Sequence, residues 1–110
     1  FVTGSVPPKG SRWSSYDERP LRFGPHNVHE NYASGYRSDT RIYCTWFNAG
    51  LRIVDISDAD RPTEIGYFVP PTPPNQLAPQ INDVFVDADG LIYITDRLTG
   101  GLYVVEYTGG

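Results

Sequence analysis

The stretch GPHNVHEN, residues 24–31, carries His26 and His29 three apart with Glu30 directly after, and the chain has no other histidine. Imidazole is both the commonest metal ligand and the side chain that exchanges protons near neutral pH. His26 is therefore a candidate general acid/base, substrate contact or metal ligand, and His29 a candidate second metal ligand. Their spacing limits what they can do together. The HExxH arrangement of zinc proteases sets two histidines four apart on one helix face, whereas residues three apart on a strand point to opposite sides of the sheet. A turn or bulge is needed to aim both rings at one ion. Zinc or copper would also need further donors from elsewhere, because such sites take three or more protein ligands. His29 has a second reading, as a ring hydrogen-bonded between sheets. Glu30 reads either as an acceptor that orients one of the rings or as a solvated carboxylate. Arg22 and Arg97 complete the candidate catalytic set. Paired guanidinium donors hold anionic substrate groups, and they serve equally well to tie neighbouring sheets together.

The elements that must position these residues are strands. Tyr 8, Phe 5 and Trp 2, with Gly 11 and Pro 10, favour short strands joined by turns. No window of ordinary helix length repeats its apolar residues at helical spacing. Residues 1–25 are rich in proline and polar residues and read as an irregular arm lying on another surface. HNVHEN, RIYCTWF, LRIVDIS and TEIGYFVP then follow as four antiparallel strands over residues 26–70. The segment at 71–81 is a proline-rich crossover, since proline lacks the donor a sheet interior requires. NDVFVDADG, LIYITD and GLYVVEY give three more strands within residues 82–110.

The chain is 110 residues long, has no methionine and bears a net charge of −4. Its missing methionine marks it as a processed product or a piece of something longer. The nine basic residues are scattered, which argues against phosphate-backbone binding. No apolar run is long enough for a membrane span, and the single cysteine, Cys44, has no intrachain disulfide partner. Nothing in the sequence fixes a compartment.

The two strand groups repeat one another. RIYCTWFNAGLRIVDI (41–56) lies over LIYITDRLTGGLYVVEY (91–107) with one extra residue in the second turn, so that Ile42 meets Ile92 and Val54 meets Val105. Upstream, HNVHE meets NDVFV. A strand-built repeat near 50 residues indicates a β-propeller. The expected fold is all-β: one four-stranded blade plus three strands of a closing blade, incomplete alone. The stretch GLRIVDISDADRPTEIGYF (50–68) resembles the repeat of the LVIVD family of β-propeller proteins, with its Leu-x-Ile-Val-Asp strand followed by Ile-Ser-Asp and a proline. A weaker likeness, LYVVEY, puts Glu106 near the position of Asp55, and the resemblance spans roughly residues 20–110. It implies a fold and no particular reaction.

Two blades cannot enclose a channel. The remaining blades are expected from a larger companion chain or from further copies of this one. Ligands of propellers usually meet the loops at one channel end, here residues 22–27, 47–50, 80–83 and 96–101. The expected function is that of a propeller enzyme acting on a small organic substrate, with His26 at the pocket and a divalent metal such as zinc or copper as a candidate helper; the alternative is a non-catalytic binding scaffold. Other residues have plainer readings. DADG (87–90) is a hairpin turn rather than a calcium loop. Asp55, Asp58 and Asp60 are turn acceptors, Cys44 is a buried inert thiol, and Trp46, Phe47, Tyr67 and Phe68 pack between sheets, Phe47 being near enough to the mouth to touch a ligand.

Overall fold

The computed structural model describes residues 21–109. Most of the expected arm, residues 1–20, lies outside the described residues. Between 21 and 109 the chain is all-β, with no helix and two antiparallel three-stranded sheets. The first sheet comprises β1 (Arg41–Thr45), β2 (Leu51–Asp55) and β3 (Thr63–Phe68), and the second β4 (Ile81–Val86), β5 (Leu91–Asp96) and β6 (Leu102–Glu106). Each sheet follows chain order, so every connection within it is a hairpin.

The repeat seen in the sequence reappears as register. Ile42 sits opposite Val54 and Ile92 opposite Val105, while Thr45 faces Leu51 and Thr95 faces Leu102. The two turns close alike, Trp46 N–H donating to Gly50 O and Asp96 N–H to Gly101 O. Gly50 and Gly101 both take positive φ, +74° and +79°, a region glycine enters without the clash a Cβ brings. Only Gly50 is also crowded: a Cβ there would lie 2.2 Å from Phe68 O.

Period-two alternation builds one shared core. Tyr43, Leu51 and Ile53 from the first sheet and Val84, Val86, Ile92 and Ile94 from the second belong to a single buried cluster, which Ile81 joins. Burying such a side chain stabilises by about 1.5–3 kcal/mol, so these alternating positions fix which face of each sheet turns inward. The opposite face of the second sheet is different. Phe85, Leu91, Leu102 and Val104 are all exposed, Leu102 at 58% and Val104 at 50%.

HNVHEN differs from its expected form. The first unit has three strands rather than four, and this segment joins β1 through a single bridge, Val28 opposite Cys44. Thr45 N–H donates to Asn27 O and His29 N–H to Tyr43 O, after which a turn at Glu30 and Tyr32 leads the chain away. It crosses to the second sheet, where Tyr36 N–H donates to Val86 O. The pairing therefore stops after one rung, because the next residues are drawn to β4. Residues 69–80 carry no strand, as their prolines require.

DADG is the hairpin turn that its residues dictate. The Asp87 carboxylate accepts Asp89 N–H, Leu91 N–H and Tyr93 O–H, and Gly90 closes the turn at φ +89°. Asp55 and Asp58 likewise accept backbone N–H groups two residues on. Hydrogen bonds from Ser57 hold the Asp55 carboxyl below the usual range.

Candidate functional site

Phe47 is the centre of the site. It lies in the β1–β2 turn at φ +51°, a conformation that costs a bulky residue on the order of 1–3 kcal/mol and persists only where the surroundings impose it. The surroundings are explicit. Phe47 and Ile81 exchange both backbone hydrogen bonds, at 2.9 and 3.1 Å, and Phe47 bridges Phe23 as well. The turn is also held from beneath, where the fully buried Arg52 donates from Nε to Ala49 O at 2.9 Å. Arg52 in turn meets Glu64 at 3.4 Å and lies over the Tyr67 ring.

Three of the residues singled out by sequence converge on this ring. The His26 ring is 4.7 Å from it, centroid to centroid. The Arg22 and Arg97 guanidinium carbons lie 5.8 and 5.5 Å from its centroid, within cation–π reach. The segments around residues 22–27, 47–50, 80–83 and 96–101 thus meet at one end of the two sheets, tied by Asn48 N–H to Arg22 O and Arg97 N–H to Gln80 O.

Gln80 was not among the sequence candidates. It is 2% exposed, and all its polar atoms are engaged. Its Oε1 accepts Arg22 N–H and its Nε2 donates to Arg22 O and Pro79 O. Its backbone O accepts Arg97 N–H, and its own N–H donates to Asp96 Oδ2. The Gln80 side-chain amide therefore holds the Arg22 backbone, and the Gln80 backbone carbonyl holds that of Arg97. Sequence placed it in the 80–83 loop at the expected channel end but gave its side chain no role.

His29 is not brought to this site. Its Nδ1 accepts Val86 N–H at 3.0 Å, so Nε2 carries the proton and donates to Tyr36 O at 2.9 Å. Its ring packs edge-on against Tyr32, Tyr43 and Phe85. With both nitrogens bound to backbone, this ring matches the reading of a histidine hydrogen-bonded between sheets; a metal would have to displace one of these bonds. Glu30 makes no hydrogen bond to either histidine among the described residues. It lies beside Tyr32, whose hydroxyl its carboxylate pushes up.

The described residues do not by themselves assemble a metal centre around His26. Among the described residues no three His, Cys, Asp or Glu side chains gather as a metal-binding group. The charged neighbours of His26 on Phe47 are two guanidinium groups, which repel a cation. Cys44 lies on the other side of β1 from the shared core, packed with Trp46 and Ala49, and burial pushes its thiol up. A cleft of about 490 Å³ runs between β3 and the end of β6, lined by Ile53, Tyr67, Phe68, Val105 and Tyr107. It contains none of Arg22, His26 or Arg97, and the convergence of charged side chains, not cavity size, marks the candidate site.

No family model, curated protein or solved structure matches the chain. No helix among the described residues is long and apolar enough to cross a membrane.

Proposed function

We propose that the chain is part of a β-propeller and that the cluster on Phe47 is a channel-end site for a small organic substrate, with His26 as its acid/base or binding group. The observation that carries this reading is the meeting of both repeat units at one end. The register-matched turns of β1–β2 and β5–β6 come together with the segments that enter residues 26–29 and β4, and Arg22, His26 and Arg97 share one aromatic platform. In a propeller, residues 26–29 and β4 are the innermost segments of two blades, and β3 is the outer strand of the first. The likeness of residues 50–68 to the LVIVD repeat supports the same architecture. So does the exposed apolar face of the second sheet, which suits a covering blade from a companion chain or another copy.

The test is a thermal-shift screen of small organic fragments against the intact assembly and its His26→Ala variant. Fragments that stabilise the native protein should bind the variant about tenfold or more weakly, with its assembly mass unchanged. An identical response from both proteins overturns the reading.

A non-catalytic scaffold is the second reading, favoured by the exposure of Arg22, His26 and Arg97, since catalytic groups usually work in water-poor sites. It predicts that this end captures a protein or glycan and that no fragment binds in a His26-dependent way.

A further inference from the structure

We infer that the Phe47 cluster recognises an oxyanion, a carboxylate or phosphate carried by a small ligand; this rests on the small-molecule reading above. The chain is acidic overall, at −4, yet it sets two guanidinium groups on one ring, and among the described residues neither pairs with a carboxylate. Among the described residues, the only carboxylate salt bridge is that of Arg52 with Glu64.

The nearby acids are turned elsewhere. Asp96, adjacent to Arg97 in sequence, spends Oδ2 on Gln80 N–H and Oδ1 on Leu98 N–H. Asp83 engages Asn27 Nδ2 and its own neighbour Val84 N–H through Oδ1. Asp96 is thus engaged by two backbone N–H groups, and Asp83 by one backbone N–H and one side-chain amide.

The arginines are also preorganised. Gln80 pins the backbone of both, and both guanidinium groups lie within cation–π reach of the ring of the strained Phe47. Two forked donors whose backbones are anchored on the one buried residue Gln80, with an imidazole beside them, form a receptor for oxygen atoms of negative charge. Arg22 and Arg97 are the binding groups, His26 adds a third donor, and Gln80 is the positioning residue.

The test uses the full chain in its native assembly, titrated at constant ionic strength with inorganic phosphate, with succinate and with its neutral analogue succinamide. Arginine Nε–H and His26 ring signals report binding by NMR. At least one of the two anions should give saturable shifts of these signals, and succinamide none; which anion binds tells phosphate from carboxylate recognition. Arg22→Gln and Arg97→Gln should each weaken binding by about tenfold, the weight of one charge-assisted hydrogen bond. Gln80→Ala should weaken the anion while leaving binding of a neutral fragment unchanged. Shifts that sodium chloride reproduces, or arginine variants that bind as the native protein does, overturn the inference. So does loss of assembly mass in the arginine variants with the anion response intact, which would make these side chains inter-blade ties. His26-dependent binding of neutral fragments without any anion response would sink this inference alone and leave the small-molecule reading standing.

Discussion

At the residue scale, the two histidines separate into two roles that their shared motif conceals. His26 was legible from sequence as a side chain at the expected channel end, and it lies on Phe47, although the strand expected to follow it forms only one rung. His29 has partners 57 and seven residues away, and no local pattern announces a bond to Val86 N–H. Gln80 escaped notice for the same reason, since its work is done through contacts 58 residues apart. Burial at this scale also sets a pH response. Desolvation raises the Tyr43 hydroxyl, against the opposing hydrogen bond from Arg41, and raises the Cys44 thiol. The folded chain then keeps these protons to higher pH than the unfolded chain, which releases them first. Their contribution to stability is full below the ordinary values of about 8.5 for cysteine and 10 for tyrosine and is lost as pH rises beyond them. Urea midpoints should accordingly fall between about pH 8 and pH 10.5. The drop should be smaller in a Cys44→Ala variant, and a drop of unchanged size would remove Cys44 from this account.

At the element scale, the hairpins were the most readable part of the chain. The glycines, the Asp-Gly turn and the alternation of apolar residues each fix a local choice, and the match of residues 41–56 with 91–107 became a match of register. The HNVHEN segment was readable only in part. Its sequence suits an edge strand, but Tyr36 is drawn to Val86 O and the pairing with β1 ends after the Val28 rung. The two turn glycines give a paired test. Gly50→Ala must take positive φ and also meet Phe68 O, so it should destabilise by well over 1 kcal/mol. Gly101→Ala meets nothing within 4 Å and should cost only about 1 kcal/mol. Equal shifts in thermal midpoint would mean that the close approach of β3 to the first turn is not a feature of the folded chain. Because Gly50 closes the turn that carries Phe47, its alanine variant should also weaken ligand binding, whereas a binding loss confined to Gly101→Ala would point to the other turn as the platform.

At the scale of the whole molecule, the all-β class was legible in composition and period, while the way the two sheets meet was not, because it rests on a shared core and on hydrogen bonds between residues far apart in the chain. Thr45 donates to Asn82 O, 37 residues on, and Phe47 pairs with Ile81. The propeller proposal makes one strong demand on the molecule: the apolar face bearing Phe85, Leu91, Leu102 and Val104 belongs against another sheet. Native mass spectrometry of the purified protein tests this most directly. The proposal predicts assemblies heavier than the 12.3 kDa chain, made with a larger companion or with further copies, and predicts that Leu102→Lys with Val104→Lys releases the single chain. A lone 12.3 kDa species that unfolds cooperatively and keeps its His26-dependent ligand would contradict it.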